Sequence, residues 1–126
     1  MALRDTIRAS AQPFLAPGEQ LQAVVPAQTH SQYLAALSGV LFFLSLNRYR
    51  ILAVTTHRIL VLDAGKFGFK KAKAVASEAP RQTVLGPGSG VWHVVPLNGE
   101  KLRVHRRFFK DMAAADALIA PGTPAI

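Results

Sequence analysis

The chain has no cysteine, which excludes disulfides and cysteine-ligated metals and suits a reduced compartment. It is also poor in acid: seven Asp and Glu stand against fifteen Lys and Arg, for a net charge of +8. Among so few carboxylates no convergent pair for acid–base chemistry stands out. The four histidines, His30, His57, His93 and His105, are too widely spaced to suggest a metal site. There is no G-x-S-x-G; Ser89 lies between Gly88 and Gly90, but the outer glycines are out of register. The glycine-rich loop Gly86 to Gly90 precedes an expected strand rather than a helix, so it is neither a P-loop nor a dinucleotide turn. These absences argue against an enzyme and against any metal or cofactor. Met1 to Gln12 lacks the hydrophobic core of a secretory signal, so the expected location is cytoplasmic.

A hydrophobic run of membrane-spanning length is missing too. The uncharged stretch YLAALSGVLFFLSL, Tyr33 to Leu46, is followed by Arg48 and Arg50. As a helix it is about 21 Å long at 1.5 Å per residue. A bilayer core is about 30 Å thick and needs roughly twenty apolar residues. A buried core segment is the first reading of this run. The second is a partly exposed apolar surface, either a membrane-dipping loop or a self-association face, with Phe42 and Phe43 at its centre.

What is present is enough for one core: 126 residues, half of them hydrophobic, make a single domain. The positive charge is uneven. Up to Asn47, Arg4 and Arg8 are cancelled by Asp5 and Glu19, whereas Arg48 to Lys110 holds thirteen Lys and Arg against Asp63, Glu78 and Glu100. A field of that sign concentrates phosphate, acidic lipid or nucleic acid.

Leu3, Ile7 and Ala11 recur at helical spacing until Pro13 stops the pattern, which predicts a short amphipathic helix over Ala2 to Ala11. Leu21 to Thr29 reads as a strand, with Pro26 marking an edge or a bend. Arg50 to Thr55 and Ile59 to Ala64 form a hairpin about Thr56-His57-Arg58. Lys73 to Glu78 and Thr83 to Leu85 are shorter strand candidates. Val91 to Leu97 and Glu100 to His105 flank Asn98-Gly99, whose residues accept the positive φ of a type I′ turn. That turn sets Leu97 against Glu100, Val94 against Arg103 and Trp92 against His105. Trp92, Val94, Lys101, Arg103 and His105 then share one face, and Val95, Leu102 and Val104 take the core face. Phe108, Met112, Ala115 and Ile119 fall on one side of a last helix, ended by Pro121-Gly122. About seven strands followed by a helix read as an antiparallel barrel or sandwich covered at one end.

RYRILAVTTHRILVLDAGKF, from Arg48 to Phe67, resembles the V-T-x-x-R-[IL] strand pair, closed by D-x-G, of bacterial pleckstrin-homology (PH)-like domains. The closing VWHVVPLNGEKLRVHRRFFKDMAAADALI is similar to their last hairpin and capping helix. The resemblance implies a mainly β fold: a seven-stranded barrel over residues 14–120, capped by a C-terminal helix. An N-terminal helix over 1–13 precedes it and a tail over 121–126 follows. Arg48-Tyr49-Arg50 is similar to the end of the basic pattern that grips phosphate in lipid-binding members, although the upstream lysine is missing and neutral His30 stands nearest.

The candidate anion- or lipid-binding residues are therefore Arg48, Arg50, Lys66, Lys70, Lys71 and Lys73, with Phe67 and Phe69 adding apolar contact beside the lysines. The expected function is a non-enzymatic module that docks on an anionic membrane, peripherally at its inner face, or on a protein partner. The alternative is a homo-oligomer built through residues 33–46. Nucleic-acid binding through Trp92 and Arg103 is disfavoured, because no recognisable RNA-binding motif gathers them.

Overall fold

In the computed structural model of the chain, residues 3–29, 48–65, 68 and 70–119 are described. Six antiparallel strands form one curled, half-barrel sheet in the order β4-β3-β2-β1-β6-β5. The strands are β1 (Leu21–Gln28), β2 (Tyr49–Thr55), β3 (Arg58–Gly65), β4 (Ala74–Pro80), β5 (Trp92–Leu97) and β6 (Glu100–His105). Helix α1 (Leu3–Ala11) precedes the sheet; a 3-10 turn (Arg106–Phe108) and helix α2 (Phe109–Ala117) follow it.

Each face of the sheet has its own helix and its own core. The inner face collects Val25, Leu52, Val54, Ile59, Val61, Val95, Leu102 and Val104 around Phe108, Met112 and Ala115 of the C-terminal segment. The outer face of β1–β3 places Val24, Ile51, Ala53, Leu60 and Leu62 under Ile7 and Ala11 of α1. Leu3, at the start of α1, packs against both clusters. Burial on both faces explains why β2 and β3 read as continuous apolar runs rather than as alternating strands. Each fully buried Ile or Leu contributes about 1.5–3 kcal/mol relative to exposure.

Two expectations change. Among the described residues there are six strands rather than seven. Thr83 to Leu85 does not join the sheet, because the Leu85 and Gly86 N–H groups donate instead to the Asp116 carboxylate of α2 at 2.8 and 2.9 Å. Pro26 does not mark an edge: β1 lies between β2 and β6. The β1–β6 ladder consists of the single pair Gln28 and Arg103, and Pro26, two residues earlier, has no N–H to extend it.

The last hairpin has the expected register, from Leu97 opposite Glu100 to Trp92 opposite His105. Asn98 and Gly99 sit at φ 50° and 83°, as a type I′ turn requires. The Asn98 side-chain amide donates to Ser77 Oγ at 3.1 Å and to the Glu78 carbonyl at 2.8 Å, so the hairpin tip reaches across to the opposite edge strand, β4. The curl of the sheet is thereby pinned at one corner.

Among the described residues no helix is long and apolar enough to cross a membrane. The Tyr33 to Leu46 run, with Phe42 and Phe43, lies outside the described residues.

Candidate anion-binding surfaces

The motif that carries the PH-like resemblance is engaged inside the fold. Thr55 Oγ1 accepts the N–H groups of His57 and Arg58, both at 3.1 Å, which closes the β2–β3 turn, and donates to Glu19 Oε2 at 2.6 Å. Arg58 holds Glu19 with Nε at 2.9 Å and Nη2 at 3.1 Å, and Glu78 with Nη1 at 2.7 Å. Asp63 Oδ1 accepts the Gly65 N–H at 3.0 Å, and Gly65 takes φ 90°, a region closed to most side chains. The Glu19 side chain is 2% exposed. The Arg58 guanidinium, with the Thr55 hydroxyl and the Ala16 N–H assisting, holds its carboxyl at about 2 against the opposing cost of burial.

Among the sequence-predicted site residues, Arg50 is also engaged internally. Its guanidinium donates to Asp63 at 2.7 Å and to Glu100 at 3.2 Å, and its side chain is 11% exposed. Arg48 is exposed at the entry to β2, where its N–H donates to Thr29 Oγ1 at 3.0 Å. Lys70, Lys71 and Lys73 are exposed on the β3–β4 connection. Tyr49 pairs with Gly65, and the Lys73 N–H donates to the Asp63 carbonyl at 2.8 Å. Arg48 and the three lysines therefore share one end of the sheet. Lys66, Phe67 and Phe69 lie outside the described residues.

The charge is partitioned. Five of the seven carboxylates form ion pairs with only three arginines: Asp111 with Arg4, Asp63 and Glu100 with Arg50, Glu19 and Glu78 with Arg58. A sixth, Asp116, accepts backbone N–H groups. Acid is thus drawn into the scaffold, and the positive field of the remaining lysines and arginines is left largely uncompensated.

A second feature lies on the outer face of β1, β5 and β6, where the Trp92–Arg103–His105 stripe meets β1. A cavity of about 260 Å³ opens there, lined by residues that include Gln28, Tyr49, Trp92, Arg103, His105 and Arg107. Trp92 meets the His105 ring edge-on, with centroids 5.0 Å apart. Arg103 Nη1 donates to the Thr29 carbonyl at 2.7 Å, and Arg107 lies 4.8 Å over the Phe108 ring. His105 Nδ1 accepts the Arg107 N–H at 3.2 Å, which leaves the proton of the neutral ring on Nε2. Burial, and then the nearby Arg107 and Arg106, keep the imidazole below its usual pKa.

Arg103 and Trp92 were visible in the sequence as one ribbon face. Tyr49 and Gln28 were not, because they reach that face only through the pairing of β1 with β2 and β6. Glu19 was missed as well; only an acid beside a Pro-Gly turn marked it. No family profile, curated protein or solved structure matches the chain.

Proposed function

We propose that this chain is a non-enzymatic, PH-like binding module that docks on an anionic membrane surface through the basic end of its sheet. The carrying observation is the charge partition: five of the seven acids are tied up by Arg4, Arg50 and Arg58 while Arg48, Lys70, Lys71 and Lys73 stand exposed at one end. The C-terminal helix set against a curled antiparallel sheet supports the PH-like reading. Each lysine or arginine close to an acidic bilayer contributes about 1 kcal/mol, reduced by salt. Arg50 is left out of the docking set because its guanidinium is already shared by two carboxylates.

Sedimentation with liposomes tests the reading. Vesicles containing phosphatidylserine should carry the protein down and neutral phosphatidylcholine vesicles should not. Replacing Arg48, Lys70 and Lys71 together by Gln should weaken binding about a hundredfold, from three contributions of about 1 kcal/mol each. Equal recovery on both vesicle types, or on neither, sends the search to a protein partner.

A further inference from the structure

The cavity on the outer face has chemistry that a flat membrane docking surface does not need. It is concave and mixes guanidinium with aromatic rings along its walls. Arg103 is anchored by the backbone carbonyls of Thr29 and Lys101, at 2.7 and 3.4 Å, rather than by a carboxylate, so its charge is not neutralised by an acid. The His105 ring adds an N–H donor whose tautomer is fixed by the Arg107 amide. Guanidinium and N–H donors of this kind match the oxygens of a phosphate.

The size and the rings narrow the ligand further. One water takes up about 30 Å³ of the liquid, so a cavity of about 260 Å³ has room for roughly eight. Inorganic phosphate alone leaves most of that space wet. Trp92 and Tyr49, with Pro26, Ala27 and Phe108, supply apolar wall beside the cationic groups. Stacking of a heterocycle on such a side chain contributes about 1–3 kcal/mol.

We infer that this cavity is a binding site for a small phosphate monoester carrying a flat ring, of the nucleoside monophosphate class. Arg103 and His105 face the phosphate and the Trp92 side faces the ring. The site adjoins the sheet end assigned to the membrane, since Tyr49 lines it and Thr29 accepts from both Arg48 and Arg103, but it uses different side chains: Arg103, His105 and Trp92. A titration without lipid therefore judges it separately, whatever the vesicles show.

Trp92 is the only tryptophan of the chain and lines the cavity, so its fluorescence reports on occupancy. The intact protein is titrated in turn with AMP, adenosine and inorganic phosphate, with excitation at the red edge of the indole band and calorimetry in parallel. The expected result is saturable AMP binding at least tenfold tighter than either fragment. Arg103→Gln should lose at least tenfold in AMP affinity, and Lys110→Gln, on the exposed side of α2, should stay within twofold of the wild type. Absence of saturation with AMP, equal affinity for AMP and phosphate, or AMP affinity unchanged in Arg103→Gln overturns the inference. If Arg103→Gln fails to fold by circular dichroism, the ranking of the three probes on the wild-type chain decides it.

Discussion

The two halves of the sheet use their outer faces differently. In β1–β3 the outer face is covered by α1, so neighbouring residues such as Ile51 and Leu52 point opposite ways and both are fully buried. In the β5–β6 ribbon the neighbours Val94 and Val95 part company: Val95 is 2% exposed and Val94 is 41% exposed. The first half has closed both of its surfaces around structural chemistry, the Glu19–Arg58–Glu78 and Asp63–Arg50–Glu100 pairings, and presents exposed cations at one end, through Arg48, Lys70, Lys71 and Lys73. In the second half, Trp92, Arg103 and His105 border a cavity on the outer face.

The comparison breaks first, if it breaks, at Ile51. Ile51→Ala on the α1 side and Leu52→Ala on the α2 side should each cost about 2–5 kcal/mol in urea unfolding, the usual range for emptying a buried Ile or Leu site. Val94→Ala, on the uncovered face of the ribbon, should stay within about 0.5 kcal/mol of the wild type. An Ile51→Ala cost as small as that of Val94→Ala would mean that α1 is not a second layer at all.

Next in size is Glu19. Its folded-state pKa, about 2, lies below the ordinary 4.5, so its contribution is fully present above about pH 4.5 and is lost as pH falls toward 2. A depression of that size at a 2% exposed side chain corresponds to about 3–4 kcal/mol, at about 1.4 kcal/mol per unit. Glu19→Gln should therefore lower stability by about 2–3 kcal/mol at pH 7 and flatten the acid limb of the stability curve between pH 4.5 and 2. An acid limb identical to the wild type would assign the acid sensitivity elsewhere.

How far these features could be read from the sequence follows the range of the forces behind them. The Asn98-Gly99 turn was legible because two residues of positive φ fix a hairpin register locally. The β2–β3 hairpin and both helices were legible for the same reason, since turn residues and apolar spacing are local signals. The order of the strands was not. Pro26 reads as an edge signal, yet β1 is central, with its proline beside a ladder of one pair. Thr83 to Leu85 has strand-like residues, but the Thr83 N–H turns back to the Pro80 carbonyl and the Asp116 carboxylate, some thirty residues on, takes the N–H groups of Leu85 and Gly86. Arg50 was read as a phosphate ligand from its neighbour Arg48; nothing near it in sequence announces that Asp63 and Glu100 will converge on it. The cavity was half legible: its ribbon wall follows from the turn, and its β1–β2 wall depends on pairing across the sheet.

The smallest effect belongs to His105, and it sharpens the comparison on the open half. The imidazole is half-buried against Trp92, and Arg106 and Arg107 lie close enough to oppose its protonation. Its folded-state pKa is thus lower than in the unfolded chain, where it sits near 6.5. The unfolded state takes up the proton first, so the contribution of His105 is complete above pH 6.5 and declines as pH falls through that value toward the folded-state pKa. Histidine ring resonances followed by NMR should place the His105 midpoint below 6.5. Replacement by Gln should remove a small part of the stability loss between pH 7.5 and 5.5, a difference measurement that cancels the other histidines. A phosphate held beside the ring opposes the two arginines and must move the midpoint upward. Repeating the titration with AMP bound should therefore shift it to higher pH, and a midpoint that ignores AMP would place the phosphate away from His105.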